Sequence, residues 1–158
     1  FWSFDKVTIS PKPIQNPHPP IWIATWTAVP RAARRVAQLA DGWQASGLHS
    51  SVDALPVGGG QIDKACAEIG RDPSEVGQAY VNAVVQFGAN PDAAWDELSR
   101  TSSAKRVRDL CLLGTADDIA ARVEAMRANG MDEISFLVAP QDLGLVRRIA
   151  FELMPRFH

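Results

Sequence analysis

The apolar positions of this chain switch between two spacings, and the switches mark its elements. Ile21-Trp22-Ile23-Ala24-Thr25 is apolar at nearly every position, which predicts a short strand buried on both faces. From Arg31 to Ala40 the spacing becomes helical. Ala32, Val36, Leu39 and Ala40 share one face, with Arg31, Arg34, Arg35 and Gln38 largely on the other. Thr27 is the expected N-cap, with Pro30 in the first turn. Asp41-Gly42 then leads into a second short strand, Trp43-Gln44-Ala45, followed by a small polar loop from Ser46 to Ser51. Gly58-Gly59-Gly60 reads as a flexible hinge before a weak helix, Asp63 to Ile69, closed by Gly70-Arg71-Asp72-Pro73. Ala79 to Phe87 is the best strand of the chain by β-propensity. Asn90-Pro91 starts a helix through Leu98, and another is expected around Lys105 to Leu112. Thr115 caps a helix from Ala116 to Ala128, with Asp117 and Asp118 in its first turn and Asn129-Gly130 as its stop. Ile134 to Val138 is again a doubly buried strand, and a final helix runs from Leu143 to Leu153, ending at Pro155.

Strands that alternate with helices call for a parallel sheet. Four strands, near Ile21, Trp43, Val81 and Ile134, make four parallel βα units, half of a (β/α)8 barrel. A small open doubly wound sheet is the alternative, and periodicity leaves both standing. Ahead of the first strand, Pro11, Pro13, Pro17, Pro19 and Pro20 predict an extended surface segment over residues 1–20.

Composition narrows the function. The 158 residues form one expected domain, 1–158, with 46% apolar and 22% charged positions. Sixteen Lys+Arg against 18 Asp+Glu give a net charge of -2, so nothing electrostatic calls for nucleic acid or an anionic membrane as partner. No apolar run approaches the roughly 18 residues of a membrane span. The start has neither a signal-peptide pattern nor an initiator Met, and the expectation is a chain that begins partway through a longer protein. Cys66 and Cys111 are too few and too far apart for a disulfide scaffold or a zinc site; they read as small apolar residues in a reducing cytoplasm. No metal constellation is visible.

Four strings carry a resemblance. Pro11 to Ile23 (PKPIQNPHPPIWI), Arg34 to Trp43 (RRVAQLADGW), Gly70-Arg71-Asp72-Pro73 and Gly114-Thr115-Ala116-Asp117-Asp118 stand in the order of similar strings in the luciferase-like monooxygenase family. The resemblance implies the C-terminal half of a TIM barrel that uses FMN or the related deazaflavin coenzyme. Where many members have Gly-Gly-Ser after the first strand, this chain has Ala24-Thr25-Trp26-Thr27, nearer to a subgroup with "SWGS" that is mostly associated with FMN. The first half of the barrel, which supplies much of the flavin pocket, is absent. The expected partners are a small-molecule substrate and that missing half or a second copy of the chain, as a homo-oligomer such as a dimer.

In such a protein the cofactor carries the chemistry, and the protein binds, orients and shields it. A phosphate needs convergent N–H groups and hydroxyls, which points to Ala24-Thr25-Trp26-Thr27 and Ser46-Gly47 at the C-terminal ends of strands. These are also what ordinary βα turns contain. Trp26 offers a flat apolar wall to the flavin or packs under a loop. His49 either reaches the phosphate or substrate or is solvated, His18 reads as surface or hinge packing, and His158 as a disordered terminal residue. Arg34 and Arg35 are placed on an exposed helix face. The resulting expectation is a flavin-dependent oxidoreductase or monooxygenase that oxidises a small organic substrate with reduced FMN and oxygen. A deazaflavin-dependent hydride-transfer enzyme and a non-catalytic half-barrel that binds or dimerises are the alternatives.

Overall fold

The computed structural model describes every residue except 1, 2, 4, 9, 26–28, 102–106, 140, 141 and 158. The expectations placed on Trp26, Thr27, Lys105 and His158 fall outside the described residues. Five strands form one sheet: β1 (Trp22–Ala24), β2 (Gly42–Ser46), β3 (Gly77–Phe87), β4 (Cys111–Gly114) and β5 (Glu133–Leu137). Every pairing is parallel, as expected. β1 lies on β2 with Ile23 opposite Trp43. The long β3 is the hub, pairing with β2 over residues 77–81, with β5 over 79–84 and with β4 over 84–87.

β4 corrects the expectation of a helix from Lys105 to Leu112. A four-residue apolar run carries no periodicity that separates strand from helix. Here the C-terminal end of β3 overruns β2 and offers main-chain groups to Cys111–Gly114, and all four residues of β4 are buried.

The helices are α1 (Pro30–Leu39), α2 (Leu55–Glu68), α3 (Pro91–Thr101), α4 (Ala116–Ala128) and α5 (Leu143–Arg148). In α1 the buried stripe is Ala33, Val36 and Ala37, continued by Ala40, at the i, i+3, i+4, i+7 spacing of one helical face. Leu39 belongs to the other side and is 65% exposed, so the predicted face was rotated. The N-cap is Val29, without a side-chain cap; Pro30 at the first position supplies the start instead of Thr27.

The glycine triplet is no hinge. It lies inside α2, where Leu55, Gly58, Gly59, Ile62, Ala65 and Cys66 form the buried stripe. A Cβ on Gly59 would stand 3.2 Å from Gln78 Oε1, so a missing side chain is what lets α2 approach β3. α4 has its expected capping box: Thr115 Oγ1 accepts from Asp118 N–H, and Asp118 accepts from Thr115 N–H at 2.9 Å. These hydrogen bonds hold the Asp118 carboxyl below the usual range. After α5 the chain continues as a π-helical turn, Ile149–Leu153, and a 3-10 turn, Met154–Phe157, so Leu143 to Leu153 is not one regular helix. The widened turn puts both Ile149 and Leu153 in the core.

The sheet has two unlike faces. Trp43, Ala45, Tyr80 and Ala83 belong to the main core with α1 and α2, and Ile134 and Phe136 pack against it. Alternation then places Trp22, Gly42, Gln44, Ser46, Glu133 and Ser135 on the opposite, open face. This explains a further correction. β1 and β5 are only half-buried, because no layer covers the open face of either edge strand.

Candidate functional site

Floor and mouth of the open face are built differently. At the N-terminal ends of the strands, Trp22 lies over two glycines. A Cβ on Gly42 would fall inside its ring, and one on Gly77 would stand 2.9 Å from Cη2. Gly42 is in register with both Trp22 and Gly77, so one indole fills the width of two empty positions. A first strand buried on both faces was expected to bury Trp22 as well. Only Trp43 is fully buried; Trp22 paves the open face.

The resembling strings also turn out to hold this frame together. Asp41 Oδ2 accepts from Ile21 N–H at 2.7 Å, pinning the chain where it enters β1. Asp132 does the same for β3, its carboxylate accepting from Gln78 N–H at 2.9 Å. Arg71 donates to the carbonyls of Ala37 and Ala40 at 2.9 and 2.8 Å, satisfying C-terminal acceptors of α1 that no backbone N–H reaches. Asp72 accepts from Ser74 N–H and Oγ, and those bonds hold its carboxyl low.

At the C-terminal ends sit the two predicted loops. Ala24 is exposed and Thr25 half-buried, with Thr25 N–H donating to Gln44 O at 3.1 Å. The structure thus places the first half of the Ala24–Thr27 stretch at the mouth; Trp26 and Thr27 lie outside the described residues. After β2, Gly47 N–H donates to Val81 O at 2.7 Å, and Leu48 N–H donates to Ser46 Oγ at 3.3 Å. His49 and Ser50 N–H groups both donate to Ser46 O, at 3.0 and 2.9 Å. Every main-chain donor from Gly47 to Ser50 is therefore engaged inside the turn or with β3. What this loop offers a ligand is the O–H of Ser46, whose oxygen accepts while its proton stays available. No carboxylate lies between Ser46 and Ser51, so the loop suits an anion in charge. His49 is exposed beside it.

Gly47 is buried against β3, where a Cβ would meet Asn82 O at 3.0 Å, and Ala83 Cα and Tyr80 Cε1 at 3.1 Å each. The tightness comes from a feature sequence reasoning missed, a bulge in β3. Tyr80 pairs with Ile134 and Ala83 with Phe136, so Val81 and Asn82 oppose the single residue Ser135. Asn82 is in the left-handed region with φ 59°. Its signal in the sequence was a lone asparagine, poor in β-propensity, inside the run AYVNAVVQF. Beneath the loop, the phenol of Tyr80 donates to Ser50 O at 2.8 Å, and burial pushes its pKa up to about 12. Tyr80 braces the loop as a neutral donor.

A cavity of about 890 Å³ lies elsewhere: between α4, β5 and the C-terminal turns, lined by Val123, Met126, Phe136 and Leu153 among others. It is a gap in the helix layer, away from the strand ends that carry Thr25 and Ser46. Among the described residues no group of three His, Cys, Asp or Glu is placed to hold a metal, and no helix is long and apolar enough to cross a membrane.

A parallel sheet built from βα units is the architecture of part of a TIM barrel; its second face is open except beside β4, where α3 packs on Val84, Cys111 and Leu113. The luciferase-like monooxygenase family model matches residues 1–105, and the chain belongs to that family. Over an alignment of 199 residues it is 26% identical to the oxygenase component of the flavin-dependent trigonelline monooxygenase of Acinetobacter baylyi, covering 99% of this chain and 54% of that protein. Among solved structures, an F420-dependent secondary alcohol dehydrogenase in complex with an F420-acetone adduct matches with a TM-score of 0.75 at 15% identity. The match covers 100% of this chain and 54% of that one. The oxygenating constituent of 3,6-diketocamphane monooxygenase of Pseudomonas putida, in complex with FMN, matches with a TM-score of 0.64 at 14% identity, over 88% of this chain and 49% of that one. These two likenesses establish the fold. The chain spans about half the length of the relatives it matches.

Proposed function

We propose that this chain is the C-terminal half of the barrel of a flavin-dependent oxidoreductase that oxidises a small organic substrate with reduced FMN and oxygen. The observation that carries the reading is the family match over residues 1–105, which span β1, β2 and β3 and both candidate loops. Reduced flavin supplies the electrons; this chain's task is to bind, orient and shield it. Thr25 and Ser46 donate hydroxyl hydrogen bonds to the flavin phosphate, and Gly47 keeps the second loop seated on β3. Ala24 lines the same mouth, with His49 on the substrate side. The main-chain donors first expected from Ser46–Gly47 have no part in this, since they are engaged already.

The half-barrel needs a cover. The open edges of β1 and β5 and the open face between them are completed by the first half of a barrel, or by a second copy of the chain. Deazaflavin is the second reading, supported by the full-length match to an F420-dependent dehydrogenase fold. Titration of the complete barrel protein with FMN and with deazaflavin coenzyme, followed by fluorescence, tests both. FMN binding with the coenzyme excluded is the expected outcome. Preference for deazaflavin moves the protein to hydride transfer, and binding of neither leaves a non-catalytic module.

A further inference from the structure

We infer that Asn82 is a binding residue for the flavin ring, its side-chain amide held in the barrel lumen by the β3 bulge to pair with an imide-like edge of an uncharged heterocycle. This rests on the flavin reading above. Tyr80 and Ala83 are three positions apart, yet both belong to the helix-side core. In an unbroken strand, residues three apart point to opposite faces. The extra residue at the bulge restores the parity, and it does so by leaving both Val81 and Asn82 to the lumen face. The two are flanked there by Ser46, in register with Val81, and by Ser135 across the bulge.

The left-handed backbone is costly for any residue but glycine and mildest for Asn, and β3 continues for five residues beyond it. No turn is made at this point, so reversing the chain cannot be the reason for it. The amide is half-buried and hydrogen-bonds to none of the described residues. While the lumen is open, water serves it. Once a barrel closes, a buried amide left without a partner is destabilising, so the group requires a ligand. The ligand's character follows from its surroundings. Gln44, Ser46 and Ser135 on this face are neutral, Glu133 stands at the far, N-terminal end, and no Lys or Arg occurs within β1, β2, β3 or β5. Among the described strand residues of this face, a charged group would find no counter-ion beside Asn82. An amide, which donates and accepts side by side, matches the adjacent N–H and C=O of an imide, the edge that flavin and deazaflavin share.

Glycine is the discriminating substitution, because it keeps the left-handed backbone and removes only the amide. In the complete barrel protein, Asn82→Gly is expected to unfold at or above the wild-type temperature and to bind FMN and riboflavin more weakly by the same factor, roughly five- to tenfold. Asn82→Asp, which keeps the backbone preference but turns the donor into a charge, is expected to lose more. Wild-type affinity in Asn82→Gly for both ligands overturns the inference, because asparagine would then serve the backbone alone. If the wild type binds no flavin, the functional reading fails first and takes the inference with it.

Discussion

Gly47 sits where β2 leaves the sheet, and its lack of a side chain is a condition of contact with β3 rather than of contact with phosphate. A valine there would drive its methyls into Asn82 O and Ala83 Cα, which are main-chain atoms and have no rotamer to escape into. Overpacking of this kind costs roughly 1–3 kcal/mol. Gly47→Val is therefore expected to lower thermal stability and, because the displaced loop carries Ser46, to weaken FMN more than riboflavin. Ser46→Ala, which removes only a hydroxyl at the mouth, is expected to weaken FMN and leave riboflavin unchanged. Parallel titrations of both ligands check the contrast. Wild-type thermal stability in Gly47→Val would mean that the loop tolerates a side chain against β3.

Among the elements, α2 departs furthest from its sequence signal. Three consecutive glycines carry the lowest helix propensity short of proline, about 1 kcal/mol each relative to alanine, and they read as a break. Packing overrides that propensity: Leu55, Ile62 and Cys66 are fully buried on the stripe that Gly58 and Gly59 share. The third glycine has no such reason. Gly60 is exposed, and a Cβ there would meet nothing within 4 Å. Gly60→Ala is expected to raise stability by about 1 kcal/mol in denaturant melts, without change in flavin affinity. A hinge would give a different result, since alanine in a flexible segment leaves folding stability nearly unchanged.

At the scale of the whole molecule, no further strand among the described residues pairs beyond the two edges of the sheet. β1 pairs only with β2 and β5 only with β3, and on the helix side a cavity of about 890 Å³ opens beside β5. Exposed strand edges beside apolar surface recruit another chain. The 158-residue chain by itself is expected to self-associate, and to bind an apolar dye until the other half of a barrel is added. Light scattering with dye titration checks this. A stable dye-free monomer would mean that the open face is tolerated and that the chain acts as a module.

Local features were legible along the chain wherever one residue's chemistry decided them. The Thr115–Asp118 box, the Asn129-Gly130 stop and four of the five strands follow from caps, turns and apolar runs that act within a few residues of each other. Their parallel pairing follows from the intervening helices. Other features came from contacts between residues far apart. β4 is a strand because β3 overruns its neighbour, and the glycine triplet is helical because Gly58 and Gly59 share the buried stripe of α2 with Leu55, Ile62 and Cys66. Trp22 faces the lumen because Gly42 and Gly77 leave room for it. The Gly47 N–H expected to meet a phosphate is engaged because the β2–β3 ladder, in register at Ser46 and Val81, carries on to Val81 O. A hydrogen-bond donor can be read from sequence, but its acceptor is set by whichever strand folds beside it, and that is a property of the tertiary structure.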